Sequence, residues 1–197
     1  MYKSEESHKE IKMFVVCKCI LLGDSRVGKT TFLQNYLSEA MGSPTETIGI
    51  DFRFLPGFPK ARVMLWDISG KELFRPIIKP HYRNTHVALF IYDVSNRATF
   101  QNIPRWSREY QQLATPLTMV LVANVGATPA VVTPEEGRAL ATTLGTKFVQ
   151  TDLRHDPVFP WVTGLIQNSL VLLTPRCPPA PPDVRRRCFA SWKIILT

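Results

Sequence analysis

The sequence predicts a three-layer α/β fold, a mostly parallel sheet with helices on both faces. Three observations predict it. Continuous apolar runs at 14–22, 87–94 and 117–123 have the composition of strands buried on both sides. Segments of helical period alternate with these runs, most clearly at 99–113, where Phe100, Ile103, Trp106, Tyr110 and Leu113 recur at helical spacing. A loop rich in small and charged residues, 23–30, joins the first apolar run to the helical stretch that follows it. Strands alternating with helices imply βαβ units, and ligands of such folds bind at the carboxyl ends of the strands.

The elements follow in order. Residues 14–22 form the first strand and 30–39 the first helix, and 39–46 is a loop containing Gly and Pro. Residues 50–55 and 61–68 read as paired strands around the turn Pro56-Gly57-Phe58-Pro59. The stretch 72–82 is a helix broken by two prolines, Pro76 and Pro80. A buried strand at 87–94, the helix at 99–113 and a strand at 117–123 come next. Thr133-Pro134-Glu135-Glu136 carries a helix-start signature: an N-cap hydroxyl, proline in the first turn and early acids. That helix runs to about Leu144 and stops at Gly145. A short strand at 147–151 and a helix at 158–173 complete the pattern. This divides the chain into a polar, disordered segment 1–12, a folded domain 13–174, and a proline-rich, basic, disordered tail 175–197.

The 197 residues are 45% apolar, enough for one well-packed domain plus a tail. No apolar run approaches the ~20 residues that span a bilayer, and the charged N-terminus has no signal-peptide stretch. Cys17 and Cys19 sit two apart on one strand, and Cys177 and Cys188 lie in the tail. None has zinc or disulfide-framework spacing, so a reducing, cytoplasmic compartment is expected. The net charge is +8, and half of it lies after Pro175 in Arg176, Arg185, Arg186, Arg187 and Lys193 against Asp183. Such a tail suits peripheral contact with an anionic membrane, or is simply a solvated charge run. No nucleic-acid motif accompanies the charge, and no nucleic-acid partner is expected.

Gly23, Asp24, Ser25, Arg26, Val27, Gly28, Lys29 and Thr30 fit G-x-x-x-x-G-K-[ST], the phosphate-binding loop, in the strand–loop–helix context the pattern requires. Backbone N–H groups of such a loop wrap polyphosphate, and the helix that follows points its positive end at the same charge. Gly28 allows close approach, Lys29 reaches β- and γ-phosphates, and the Thr30 hydroxyl ligates Mg²⁺, with Thr31 next in the helix. Asp67 ends the third strand in Trp66-Asp67-Ile68-Ser69-Gly70, where a carboxylate holds the Mg²⁺ water shell and the Gly70 N–H touches a γ-phosphate. Thr47, in the loop entering the second strand, completes the Mg²⁺ shell only when a γ-phosphate is present, the logic of a nucleotide switch.

These segments resemble the Rab family of Ras-like small GTPases. The matching residues are 23–30, Thr47-Ile48-Gly49-Ile50-Asp51-Phe52, Trp66-Asp67-Ile68-Ser69-Gly70, His81-Tyr82-Arg83-Asn84, Ile91-Tyr92-Asp93-Val94 and Pro134-Glu135-Glu136-Gly137. Asp51-Phe52-Arg53 with Tyr82-Arg83-Asn84 looks most like the Golgi and autophagy branch. The resemblance spans about residues 13–173. It implies a six-stranded sheet with five helices, GTP, GDP and Mg²⁺ as ligands, GTP hydrolysis, and a switch role in vesicle traffic, on Golgi or vesicle membranes. It also implies a monomer that meets effectors through Phe52, Trp66 and the switch loops, with an exchange factor and a GTPase-activating protein as partners.

The sequence departs from the family pattern at defined places. Where the family reads guanine with Asn-Lys-x-Asp, this chain has Asn124-Val125-Gly126-Ala127, so Asn124 remains while the lysine and aspartate are absent. The second base loop aligns with Asp152-Leu153-Arg154, in which Asp152 is a partial substitute or a bystander. The aromatic that covers the base falls at Ala40 or Met41. Lys71 follows Gly70 where the family has the glutamine that orients water, and a lysine cannot both donate to phosphate and accept from water. Lys71 at this catalytic position either holds the γ-phosphate or faces solvent. Phe52 and Trp66 match two of three effector-facing aromatics and also have a plain core reading, and His81 stands at the third. The last residues hold no C-a-a-X cysteine: position 194 is Ile, and 188–196 is either a weak membrane contact or an alternative end. Weak guanine selectivity and slow hydrolysis are therefore expected. The alternative is an interaction module that binds effectors without a nucleotide cycle.

Overall fold

The computed structural model describes residues 15–38, 47–59, 61–157 and 159–173. The expectations for 1–12, for the loop 39–46 with Ala40 and Met41, and for the tail with Cys177 and Cys188 lie outside the described residues. Six strands form one sheet, β1 (Val15–Leu22), β2 (Ile50–Leu55), β3 (Ala61–Ile68), β4 (Val87–Asp93), β5 (Thr118–Asn124) and β6 (Lys147–Thr151), in the order β2-β3-β1-β4-β5-β6. Only β2 runs antiparallel, paired to β3 with Phe52 opposite Trp66. The reversal follows from the short Pro56–Pro59 connection, since a two-strand turn of that length joins only antiparallel strands.

The helices are α1 (Lys29–Tyr36), α2 (Arg75–Ile78), α3 (Arg97–Gln101), α4 (Ile103–Gln111), α5 (Pro134–Leu144) and α6 (Phe159–Leu173). α3 and α4 are one helix interrupted at Asn102, because Pro104 has no N–H to donate back to the preceding turn. Counted so, the five expected helices are present. The pair begins two residues earlier than its apolar period suggests, because the Asn96 side chain caps it by accepting from the Ala98 N–H. The 72–82 segment is α2 between two single 3-10 turns, Glu72–Phe74 and Lys79–Tyr82, as two prolines in eleven residues require. α5 begins at Thr133 with a full capping box.

The sheet divides two buried clusters. Cys17, Cys19, Leu21, Val63, Leu65, Leu89 and Val122 face Phe32, Leu33 and Tyr36 of α1 and Val162 and Ile166 of α6. Ile20, Leu22, Ala88, Phe90 and Tyr92 face Ile78, Tyr82, Ile103, Trp106, Tyr110 and Ala141. Neighbouring residues of β1 and β4 thus enter opposite clusters, the two-sided burial that their unbroken apolar sequences predict. The carboxyl ends of β1, β3, β4 and β5 converge on one edge, and the loops that leave them form the candidate site.

Candidate nucleotide site

The loop after β1 starts at Gly23 and ends at Gly28, which caps α1 in a left-handed conformation, φ 103°. A side chain at Gly28 would be strained and would meet the Asn124 amide nitrogen at 2.7 Å. Lys29 is 6% exposed and turns back across its own loop, donating to the Gly23 carbonyl at 2.9 Å and the Asp24 carbonyl at 2.6 Å. Burial pushes its ammonium down to about 8, while Asp67 and Asp24 hold it up in part.

Thr30, Thr47 and Asp67 come together. Asp67 Oδ2 accepts from Thr30 Oγ1 at 2.6 Å and from Thr47 Oγ1 at 3.0 Å, and the two hydroxyl oxygens are 3.0 Å apart. Asp67 is 1% exposed, and its other oxygen, Oδ1, is buried with no hydrogen-bond partner. Burial raises its carboxyl above the ordinary value, against the lowering effects of Thr30, Lys29 and Thr47. A buried carboxylate oxygen with no hydrogen-bond partner is unfavourable unless a metal ion or a donor meets it. Hard oxygens of this kind suit Mg²⁺, so the residues present fit that ion.

Gly70 closes on the loop: a Cβ there would lie 2.2 Å from both the Asp24 carbonyl carbon and the Ser25 nitrogen. Lys71 follows it at the surface, its N–H donating to Ser69 Oγ at 3.3 Å. Arg26 is exposed within the loop and Val27 is fully buried beneath it, and Thr31 lies in the first turn of α1.

The base-facing loops are arranged differently. Asn124 donates to the Val27 carbonyl at 3.0 Å and accepts from the Leu153 N–H at 3.2 Å, so both ends of its amide brace the phosphate loop against the loop after β6. Val125 packs against the buried cluster that includes Ala123 and Val132. Gly126 and Ala127 are exposed. Asp152 is taken up by its own loop: Oδ1 accepts from the Arg154 N–H and Oδ2 pairs with His155 Nδ1, each at 2.8 Å. That contact with His155 holds its carboxyl below the usual range.

Sequence reasoning missed two supports of the site. The Asp24 carboxylate accepts from Trp106 Nε1 and from Asn102 Nδ2, both at 2.7 Å, tying the phosphate loop to α4. Arg75, 7% exposed, stacks on Trp106 with its guanidinium 3.7 Å from the ring centroid and pairs with Glu109 at 2.7 Å, and Tyr82 donates to Glu109 at 3.0 Å. The only signal for them was a tryptophan on an apolar helix face, whose indole N–H needs a partner. Beside the loop, Phe52 stacks on Trp66 at 5.0 Å and Trp66 lies against His81 at 5.1 Å, with Lys18 Nζ 4.7 Å from the Trp66 ring. Phe52 is 44% exposed, and Ile48, Leu73 and Ile77 lie exposed in the flanking segments.

The fold and this loop define a phosphate-binding-loop nucleotide-binding domain of the α/β class. The sequence model of the Ras family matches residues 18–157. The chain is 37% identical over 149 residues to mouse Ras-related protein Rab-26, covering 71% of this chain and 57% of that one. It is 33% identical over 165 residues both to mouse Ras-related protein Rab-42 and to Ras-related protein SEC4 of Saccharomyces cerevisiae, each match covering 77% of the relative and 76% and 79% of this chain. The chain therefore belongs to the Ras family, among its Rab-like small GTPases. It spans little more than half the length of Rab-26. Among the described residues no helix is long and apolar enough to cross a membrane.

Proposed function

We propose that this chain is a Rab-type molecular switch in vesicle-mediated transport, with GTP, GDP and Mg²⁺ as its ligands. The observation that carries the reading is the meeting of Thr30, Thr47 and Asp67 beside buried Lys29. The loop 23–30 with Thr31 holds the phosphates in this reading, Lys29 reaches the β- and γ-phosphates, and Thr30, Thr47 and Asp67 hold the metal. Mg²⁺, when bound, neutralises charge on those phosphates. Thr47 is the switch contact, since its segment leads directly into β2 and the Phe52–Trp66–His81 strip that effectors would meet. Asn124 acts as a brace of the loop, Gly70 as the γ-phosphate contact, and Lys71 at the glutamine position makes hydrolysis slow. The missing lysine and aspartate after Asn124 weaken guanine selectivity. An exchange factor and a GTPase-activating protein complete the partner set, and Golgi or vesicle membranes are the place of action, reached peripherally. The domain comprises residues 13–174.

The test is Mg²⁺-dependent binding of fluorescent GTP and GDP to the full chain, with Lys29→Ala as control. Binding that needs both Mg²⁺ and Lys29 is expected. Absence of binding would leave a Rab-shaped interaction module and overturn the switch.

A further inference from the structure

A recess of about 530 Å³ lies at the end of the sheet opposite the phosphate loop. The parallel strands β1, β4 and β5 end on the side of that loop, whereas the recess is lined by residues of 83–86, just before β4, and of 113–117, between α4 and β5. Hydrogen bonds hold both walls in place. Lys18 Nζ donates to the carbonyls of His81 at 2.5 Å and Arg83 at 3.1 Å, and Thr85 Oγ1 donates to the Tyr82 carbonyl at 2.8 Å. The N–H groups of Leu117 and Thr118 donate to the His86 carbonyl at 2.9 and 3.1 Å, which joins one wall to the other. A recess of this volume with fixed walls has the dimensions of a small-molecule site.

The polar groups of the lining are donors. Among the described residues, no hydrogen bond or ion pair engages the side chains of Arg83, Asn84 and Thr115, three of the residues that line the recess. His86, a fourth, accepts the Lys18 backbone N–H through Nδ1 at 2.9 Å, so its neutral ring carries the proton on Nε2 and is a donor there. No Asp or Glu stands among the lining residues, and Arg83 is the only Lys or Arg among them. Leu113 and Leu117 complete the lining with large aliphatic side chains that are 36% and 44% exposed. A guanidinium, several neutral donors and two open leucines complement an anion that carries an apolar body. One guanidinium balances one negative charge, and its planar fork matches a carboxylate.

We infer that this recess is a binding site for a small organic monocarboxylate, with Arg83 taking the carboxylate and Leu113 and Leu117 the apolar body. Asn84, Thr115 and His86 supply further donors to the same end of the ligand. A neutral molecule leaves the guanidinium without an ion pair, and a doubly charged phosphate leaves one of its charges unbalanced, so both fit less well. The site is separate from the phosphate loop and does not depend on the switch reading.

The experiment is an amide NMR titration of the full chain with phenylbutyrate, with phenylbutanol as the neutral compound of the same body, and with acetate and inorganic phosphate. Phenylbutyrate is expected to give saturable shifts at the amides of 83–86 and 113–117, with a Kd of roughly 1 mM, as about a dozen heavy atoms in an open site give. The alcohol and acetate are each expected to bind about tenfold more weakly, the first lacking the charge-assisted contact and the second the apolar body. Arg83→Gln, whose parent side chain no described residue holds, is expected to weaken phenylbutyrate by about tenfold while shifts elsewhere in the spectrum stay small. Lys29→Ala is expected to leave that affinity unchanged, since the phosphate loop lies at the other end of the sheet. If phenylbutanol binds as tightly as phenylbutyrate, the recess is only an apolar surface and the inference falls. Phosphate that binds more tightly than phenylbutyrate would make this an inorganic-anion site and overturn the monocarboxylate assignment. Absence of saturable shifts up to about 10 mM phenylbutyrate, or an Arg83→Gln affinity equal to that of the parent, would overturn it as well.

Discussion

Trp106 donates its indole N–H to the Asp24 carboxylate at 2.7 Å, so the middle of α4 holds the phosphate loop from outside the motif. Asn102, one turn earlier, donates to the other oxygen at 2.7 Å, and the two donors satisfy a carboxylate that would otherwise be poorly solvated against the core. The same tryptophan ring carries the Arg75 guanidinium on its face, which links the segment after Gly70 to the loop as well.

Trp106→Phe keeps the ring for Arg75 and removes the donor. The variant should lose about 1–3 kcal/mol in urea denaturation, the cost of a charged hydrogen bond in a partly buried setting. It should also bind a fluorescent nucleotide less tightly, because the loop is no longer pinned. A denaturation curve superimposable on that of the parent would mean that Asn102 alone satisfies Asp24.

Among the described residues, Arg75 and Glu109 form a largely buried ion pair on the switch side, their side chains 8% and 14% exposed. Arg75→Leu leaves Glu109 with Tyr82 at 3.0 Å and Lys79 at 3.7 Å as partners. The expected loss is about 2 kcal/mol, because a largely buried carboxylate loses its closest cation and keeps only Tyr82 and the longer contact with Lys79. Adding Glu109→Gln should recover part of that loss. Chemical denaturation of the single and double variants checks this, and a double variant no more stable than the single would refute the charge explanation.

The outline of the fold was legible because its strands and helices differ in period. The strand at β6 and the helix start at Thr133 fall where alternation and capping chemistry place them. The phosphate loop was legible for the same reason: its residues are local in sequence and each has a separate physical task. Asp24, Trp106 and Arg75 were not legible as a unit, because the contacts join residues up to 82 apart and no local pattern encodes them. The orientation of Asp152 was equally hidden. A carboxylate next to Arg154 and His155 has near partners in its own loop, and only the folded loop shows that it takes them.

His86 lies just before β4 and accepts the Lys18 backbone N–H at 2.9 Å through Nδ1, a contact that requires the neutral ring. Burial, with the Lys18 ammonium nearby, holds its folded pKa below the ordinary 6.5. His81, also close to Lys18, is lowered for the same two reasons. The unfolded chain therefore takes up protons at these sites before the folded one does. Stability should be fully present above pH 6.5 and should fall as the pH drops below it toward the folded values. His86→Asn, which offers an amide oxygen to the same N–H, should flatten this acid slope in denaturation midpoints measured across the range. An unaltered slope would move the effect to other groups.

The base loop offers the most direct reversal. Gly126 and Ala127 are exposed and carry no packing load, so Ala127→Asp should fold as the parent does. Val125 packs partly on the core, and Val125→Lys should cost about 1 kcal/mol of stability, the scale of losing a partly buried aliphatic contact. Together the two changes supply the lysine stem and the carboxylate that guanine recognition uses in the wider family. A carboxylate accepting from two base N–H groups makes charge-assisted bonds of roughly 1.5–3 kcal/mol each, so GTP should gain at least about tenfold over ATP. Competition of GTP against ATP in the double variant measures that ratio. A rise in GTP affinity with ATP unchanged would mean that the loop backbone already lies where guanine recognition requires it. Equal affinities would mean that the loop holding Val125 is displaced from the base position, so that side-chain chemistry alone does not restore selectivity.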